Sequence, residues 1–252
     1  MEILTSIIHS GGYGYDFPSV TINPMTFIQV CEYIENVPTD PLDKYLYDIQ
    51  NLVKEDKRIL NCYVMDLDFL IFYKKICTVS EDLSYEITVK CPICGNELRR
   101  RINIEGDIKF KKIDEKIMSG AVIELGGTNY ETRVPTVKEF LDVFKKYLVY
   151  RKITDLKLIK TIALIKNFEY QGNQIEDSIL DATHSDITLL MALRELYYDQ
   201  IEPIQIFCPE CNKDLKLEER RSVAVSVESL TVDFFRDFCI NSPISRSKIL
   251  FK

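Results

Sequence analysis

The chain has 252 residues, of which 46% are hydrophobic and 28% are charged, and it contains few glycines and prolines. This composition is that of an ordinary globular protein, and no run approaches the roughly 18–20 uncharged residues of a membrane span. The formal charge of −7 argues against a general nucleic-acid binder, because such proteins are usually basic, although it leaves room for a local basic patch. The N-terminus lacks the basic region of a signal peptide, so we predict a cytosolic protein without membrane association.

The first 23 residues are predicted to contain short strands and turns. Their most distinctive feature is the glycine cluster Gly11-Gly12-Tyr13-Gly14-Tyr15. Glycine-rich loops that bind phosphate continue into Gly-Lys-Ser/Thr or belong to a dinucleotide-binding pattern, and neither is present here. The cluster is therefore interpreted as a turn.

Three helices are predicted after this stretch. Thr26 and Gln29 have the spacing of a capping box at the start of the first helix. Asp40 caps the second helix, and Pro41 is its first helical residue. The first helix has an apolar face, which consists of Phe27, Val30, Cys31 and Ile34.

The third helix is predicted from about Asp66 to Cys77. Asp66 and Asp68 lie at its start and have the spacing of paired carboxylates. Helix capping and compensation of the helix dipole explain two acidic residues at this position better than acid–base catalysis does.

Two Cys-x-x-Cys motifs organise the rest of the chain: Cys91-Pro-Ile-Cys94 and Cys208-Pro-Glu-Cys211. In each motif Pro follows the first Cys and fixes φ, and Gly or Asn follows the second Cys and tolerates the left-handed conformation. Each motif thus predicts a turn that points two thiolates at one spot. Four sulfurs complete a closed tetrahedral zinc site, so we predict a structural Zn²⁺ bound by Cys91, Cys94, Cys208 and Cys211. The alternatives are turns without metal and redox chemistry.

Strand patterns flank both motifs, at 84–90 and 97–104 for the first and at 203–207 and 214–217 for the second. Two hairpins joined through their turns on one metal form a zinc ribbon. A simple ribbon separates its motifs by roughly 15–20 residues, whereas residues 95–207 intervene here. A folded insertion between the two halves of the ribbon is therefore predicted.

The insertion is predicted to begin with strands and continue with helices. Gly126-Gly127-Thr128-Asn129 is interpreted as the turn of a hairpin. Thr136 and Glu139 have the spacing of a second capping box. The predicted strands are 108–113, 121–125 and 130–134, and the predicted helices are 137–150, 154–168 and 186–199.

We therefore predict an α+β protein: a split zinc ribbon, made of two β-hairpins with Cys-x-x-Cys knuckles, with N-terminal helices and an inserted helical lobe. The predicted regions are, in chain order, an N-terminal strand and helical region (1–83), the first half of the ribbon with a β-hairpin (84–135), the inserted helical lobe (136–202), the second half of the ribbon (203–217) and a C-terminal extension (218–252).

Catalytic motifs are absent from the sequence. The chain has two histidines, His9 and His184, and it contains no His-Glu-x-x-His, Gly-x-Ser-x-Gly or Walker motif. His184 lies between Asp181 and Asp186 and could be a base oriented by a carboxylate, although a linker position explains it better. A closed four-cysteine zinc site also leaves no position for a substrate, so we predict a protein without enzymatic activity.

A basic run, Arg99-Arg100-Arg101, lies just beyond the first cysteine motif. In a strand, Arg99 and Arg101 share one face, where they could contact phosphates. They could equally form ion pairs with Glu97 and Glu105. A regulatory nucleic-acid-binding zinc-ribbon protein is therefore the alternative function.

The order of these features resembles the baseplate hub and hub-assembly protein family of contractile-tailed bacteriophages. The resemblance covers roughly residues 1–217. Its motifs are Pro24-Met25-Thr26, Asp66-Leu-Asp-Phe-Leu70, the first knuckle with its following strand at Cys91–Ile104, the helix start at Pro135–Glu139, and the second knuckle at Cys208–Cys211.

The resemblance implies a non-enzymatic structural or assembly component of a phage tail baseplate. Its implied partners are other baseplate hub or wedge proteins in a hetero-oligomeric assembly. Its implied location is the host cytoplasm during assembly and the tail baseplate of the virion. The resemblance does not say whether the protein remains in the mature particle.

Overall fold

The computed structural model describes residues 1–110, 118–125, 127–150, 156–165, 202–213 and 222–225, and isolated helical positions between 188 and 197. These residues form a mixed α+β structure in which every sheet is a two-stranded antiparallel pair. The α+β class and its small hairpins agree with the prediction. Among the described residues, no helix has the length and apolar character needed to cross a membrane.

Four strand pairs are present in the described part of the chain. In chain order, they are β1 (Glu2–Leu4) with β2 (Ser19–Thr21), β3 (Ser84–Lys90) with β4 (Glu97–Asn103), β5 (Ala121–Leu125) with β6 (Thr128–Thr132), and β7 (Ile204–Phe207) with β8 (Ser222–Val225).

The helices alternate with these pairs along the chain. The α-helices are α1 (Phe27–Asn36), α2 (Pro41–Glu55), α3 (Val64–Val79), α4 (Ile104–Asp107), α5 (Val137–Tyr150) and α6 (Leu156–Ile162). Short 3₁₀ helices occupy Thr5–Ile7 and Lys57–Asn61.

Helix starts follow the local capping chemistry. The Thr26 hydroxyl accepts from Gln29 N–H and the Gln29 side chain accepts from Thr26 N–H, which completes a capping box. The Asp40 carboxylate accepts from two backbone N–H groups at the start of α2. Thr136 and Glu139 form the reciprocal pair of bonds at the start of α5. These three predicted helix starts are confirmed, whereas the helix predicted from about Asp66 to Cys77 runs from Val64 to Val79.

The described chain divides into two compact units, each assembled from separate segments. The first consists of Met1–Ile22, Thr39–Leu67 and Phe110–Ile201, and the second of Asn23–Pro38, Asp68–Lys109 and Glu202–Lys252. The boundary falls within α3, which is apolar on most sides and buried along most of its length.

In the first unit, α5 is held against the segment that precedes α3. Val64 N–H donates to the Pro135 carbonyl (3.0 Å), and Val137 N–H donates to the Cys62 carbonyl (2.8 Å). The rings of Tyr45 and Phe140 meet edge to face, with centroids 6.1 Å apart. The region predicted as an inserted lobe therefore shares a core with N-terminal residues.

Three predictions about the insertion differ from the structure. Of the strand predicted at 108–113, residues 108–109 follow the short helix α4 and are not in a strand, and residues 111–113 lie outside the described residues. The helix predicted at 154–168 ends at Ile162, because Arg133 N–H bonds the Leu164 carbonyl and pulls this segment against β6. The strand predicted at 130–134 lies two residues earlier, at Thr128–Thr132.

The apolar face predicted for α1 is not a packed face. An apolar stripe at this spacing normally lies against a core. Here Tyr33 is the only buried residue of the helix, and Phe27 and Ile34 are exposed. The helix is therefore rotated so that a residue outside the predicted stripe packs.

Several predicted features lie outside the described residues. They are His184, the strand at 214–217, most of the helix at 186–199 and all but 222–225 of the C-terminal extension at 218–252.

Candidate metal centre

The first knuckle closes the hairpin of β3 and β4. Cys91 N–H donates to the Asn96 carbonyl (2.8 Å), and Gly95 N–H donates to the Cys91 carbonyl (2.9 Å). Gly95 has φ 75°, a left-handed conformation that favours glycine, and the space where a Cβ would stand is open. The backbone at this glycine therefore turns the chain back, as predicted.

The turn of the second knuckle is closed by hydrogen bonds from Asn212. Asn212 N–H donates to the Cys208 carbonyl (3.2 Å), and the Asn212 side-chain amide donates to the same oxygen (2.7 Å). Asn212 is not among the described residues with positive φ, so the left-handed conformation predicted for it is wrong. Its side chain, buried at this turn, performs the stabilising role instead.

The four cysteine sulfurs form one cluster. Their Sγ atoms all lie within 4.8 Å of one another. The Sγ atoms of Cys91 and Cys211 are 3.8 Å apart, although these residues are 120 positions apart in sequence. The Sγ atoms of Cys94 and Cys208 are 3.6 Å apart across 114 positions. All four predicted ligands are thus brought together, and no other such group of metal-binding side chains occurs among the described residues.

The pKa values of the clustered thiols are shifted in opposite directions. Hydrogen bonds from the backbone N–H groups of Cys94 and Ile93 lower the pKa of the Cys91 thiol to about 6. The neighbouring Cys94 thiol raises the pKa of Cys211 to about 12. Several thiolates in contact repel one another, so a bound cation is what would allow all four to ionise.

Arg100 joins β4 to β7, a role that was not predicted from the sequence. Its guanidinium donates to the Gln205 carbonyl on β7 (2.5 Å) and to Asp107 Oδ1 on α4 (2.6 Å). In the β3–β4 register, Arg100 is opposite Ile87, so it lies on the face that also carries Leu98. Arg100 alternates with Leu98 and Ile102 on the inward face of β4. A charged residue at an inward-facing strand position is the feature of the sequence that could have indicated its role.

Arg99 and Arg101 lie on the opposite face of β4, as predicted. Arg99 pairs with Glu97 at 2.8 Å, and both side chains are substantially exposed. Arg101 pairs with Asp82, so the predicted alternative partner Glu105 is wrong for this residue.

Of the other titratable residues considered from the sequence, His9 and Asp66 lie in the first unit, and Asp68, which is buried in α3, lies in the second. His9 is buried, with Nδ1 3.3 Å from the Met65 carbonyl oxygen, and its ring stacks on Phe110. Asp66 is in the first turn of α3, but its carboxylate accepts from Ser10 N–H (2.7 Å) and from the Tyr15 hydroxyl (2.5 Å). It therefore anchors the N-terminal glycine turn instead of capping the helix, although its position in the first turn agrees with the predicted compensation of the helix dipole.

Comparison with known proteins adds nothing to these observations. No protein-family model matches the sequence, and no curated protein and no solved structure is significantly similar to it.

Proposed function

We propose that the four cysteines bind one structural zinc ion and that the chain is a non-enzymatic structural or assembly component that acts through protein contacts. The observation that carries the zinc proposal is the spacing of the sulfurs. Zinc–thiolate bonds of about 2.3 Å in a tetrahedron place the sulfurs about 3.8 Å apart. The Sγ–Sγ separations of 3.8 Å (Cys91 to Cys211) and 3.6 Å (Cys94 to Cys208) fit this geometry.

The four cysteine ligands indicate which metal binds and that its role is structural. Four thiolates from two Cys-x-x-Cys turns are typical of structural zinc, and a site filled by four protein ligands has no open position for water or substrate. The bound ion would supply a covalent-strength link between the two turns. Cys91 and Cys208, the first cysteine of each knuckle, are buried, whereas Cys211 is half-buried and Cys94 is exposed.

A zinc ion here would fix segments that are far apart in the chain. Closing a loop of this length costs free energy that grows only logarithmically with its length. Structural zinc sites in peptides contribute roughly 10–16 kcal/mol at neutral pH. The proposed ion would therefore hold the β3–β4 and β7–β8 hairpins in one split zinc ribbon.

The assignment to a phage tail baseplate rests on the resemblance in motif order. The proposed partners are other hub or wedge proteins, in the host cytoplasm during assembly and in the tail baseplate. A rigid ribbon gives such a component a fixed surface for its neighbours, which is consistent with a role in assembly.

The alternative, a regulatory nucleic-acid-binding protein, draws less support from this site. Arg99 and Arg101 each have a carboxylate partner, Glu97 and Asp82 respectively. A phosphate would have to displace these partners, so the two arginines are better suited to the ion pairs they make.

Metal analysis of purified protein tests the zinc proposal. We expect one zinc per chain in the wild-type protein and its loss in C91S and C208S, with helix content retained and the hairpins disordered. C31S is the matched control, since Cys31 is a half-exposed cysteine outside the cluster. Full zinc content and unchanged stability in C91S and C208S would exclude the proposed site.

Quantitative mass spectrometry of virions and of infected-cell lysate tests the assembly role. A small fixed copy number per particle would identify a structural subunit. Presence in lysate and absence from particles would identify an assembly factor if the protein co-purifies with baseplate intermediates. Co-purification with nucleic acid alone would contradict the baseplate proposal.

A further inference from the structure

Helix α1 presents an apolar face that the described structure does not cover. Phe27 is 82% exposed, Ile28 is 68% exposed and Ile34 is 42% exposed. Phe27, Cys31 and Ile34 are spaced i, i+4 and i+7, which places them on one side of the helix. This spacing is that of a helix that docks through its apolar face on another protein.

The helix is held by contacts away from this face. Its start is fixed by the capping box, and just before it Met25 N–H donates to the Thr78 hydroxyl (3.0 Å). Tyr33 is buried, and the Lys75 ammonium lies 5.9 Å from the centre of its ring. The exposed face is therefore presented in a fixed orientation and makes no packing contact that buries it among the described residues.

The charged residues of α1 itself all have one sign. Glu32 and Glu35 are exposed and flank Ile28 on the helix surface, and α1 contains no Lys or Arg. Helical geometry places Glu35 about 80° and Glu32 about 140° around the axis from Phe27. One edge of the apolar stripe is thus acidic.

We propose that α1 docks on an amphipathic helix of another protein, one whose apolar stripe is flanked by Lys and Arg. Charge complementarity selects this partner. A second copy of α1 would bring acidic edges together, and an anionic membrane would repel them. The inference deepens the proposed protein-binding function by naming the surface and the chemistry of its partner.

Binding of two synthetic helices to the 252-residue protein tests this. Both peptides have about 20 residues, because shorter isolated helices are only marginally stable in water. Both carry the same stripe of leucines. One has Lys and the other Glu beside the stripe. We expect the Lys helix to bind at least tenfold more tightly, about 1.4 kcal/mol. The double variant F27S/I34S should lose at least tenfold in affinity for it, and E32K/E35K should reverse the preference.

The control is V122S, which removes an apolar side chain of β5 that is 67% exposed and should leave binding unchanged. No binding of the Lys helix, equal binding of both helices, or full binding by F27S/I34S would overturn the proposal. Self-association or binding to phosphatidylglycerol vesicles that F27S/I34S abolishes would also overturn it, in favour of a second copy or a membrane. Zinc content should be the same in all these variants, so failure here is distinguishable from failure of the zinc proposal.

Discussion

The buried carboxylate of Asp66 accepts hydrogen bonds from two uncharged donors. Ser10 N–H and the Tyr15 hydroxyl bond its two oxygens, and the Tyr15 oxygen in turn accepts from Tyr63 N–H (2.6 Å). Burial raises the pKa of Asp66 to about 6, and the hydrogen bonds offset this only in part. The glycine turn is thus fixed to α3 by a group that is costly to ionise.

This raised pKa predicts a pH dependence of stability. Between about pH 4 and pH 6, Asp66 is ionised in the unfolded chain but protonated in the folded one. Its contribution to the unfolding free energy is therefore fully present at low pH and falls by about 3 kcal/mol as pH rises through 6. D66N should remove this fall, which urea unfolding from pH 4 to pH 7 would measure.

The comparison between wild type and variant isolates Asp66 from other titrating groups. Asp56 and Asp107 have lowered pKa values, and they act in the opposite direction in both proteins. D16N, which alters an exposed carboxylate beside Tyr15, should keep the wild-type pH dependence. The same pH dependence in D66N and wild type would refute the assignment.

At the scale of elements, the sequence predicted the features that depend on neighbouring residues, such as helix caps and turns. The caps at Thr26, Asp40 and Thr136 fix helix starts through bonds within three residues, so the sequence reveals them. The β3–β4 hairpin and the four cysteines were predicted because turn residues and ligand spacing are also local. The rotation of α1 and the pairing of β7 with β8 depend on distant contacts, which no local pattern encodes.

Arg100 shows how a long-range contact can support a locally encoded hairpin. It links β4 to the Gln205 carbonyl of β7 and to Asp107. R100M keeps most of the aliphatic length and removes both bonds. Because the ion pair is partly exposed, we expect a loss of about 1 kcal/mol in unfolding free energy and faster release of the metal to a chelator.

R99M is the matched control for this effect. Arg99 is one residue away on the other face of β4, and its pair with Glu97 is more exposed. Such surface pairs contribute little, so R99M should change the unfolding free energy by less than about 0.5 kcal/mol. Equal effects of R99M and R100M in urea unfolding would show that Arg100 does not join the hairpins.

At the scale of the whole molecule, the metal centre belongs to one of the two compact units. All four cysteines lie in the second unit, in Asp68–Lys109 and Glu202–Lys252. The first unit has its own buried apolar residues, among them Ile49, Leu52 and Phe140. Stabilisation by a ligand acts on the structure that binds it, so the two units should respond differently to loss of the metal.

Removal of zinc by a chelator should therefore be local in its effect. We expect hydrogen exchange to accelerate in β3, β4 and β7, because the hairpins lose the link between their turns. Exchange in α2 and α5 should change little, since these helices pack in the first unit. C91S should show the fast pattern before any chelator is added and no further change after it. A uniform acceleration across both units would mean that the metal supports the entire fold, and no acceleration anywhere would mean that the cysteine cluster does not need an ion.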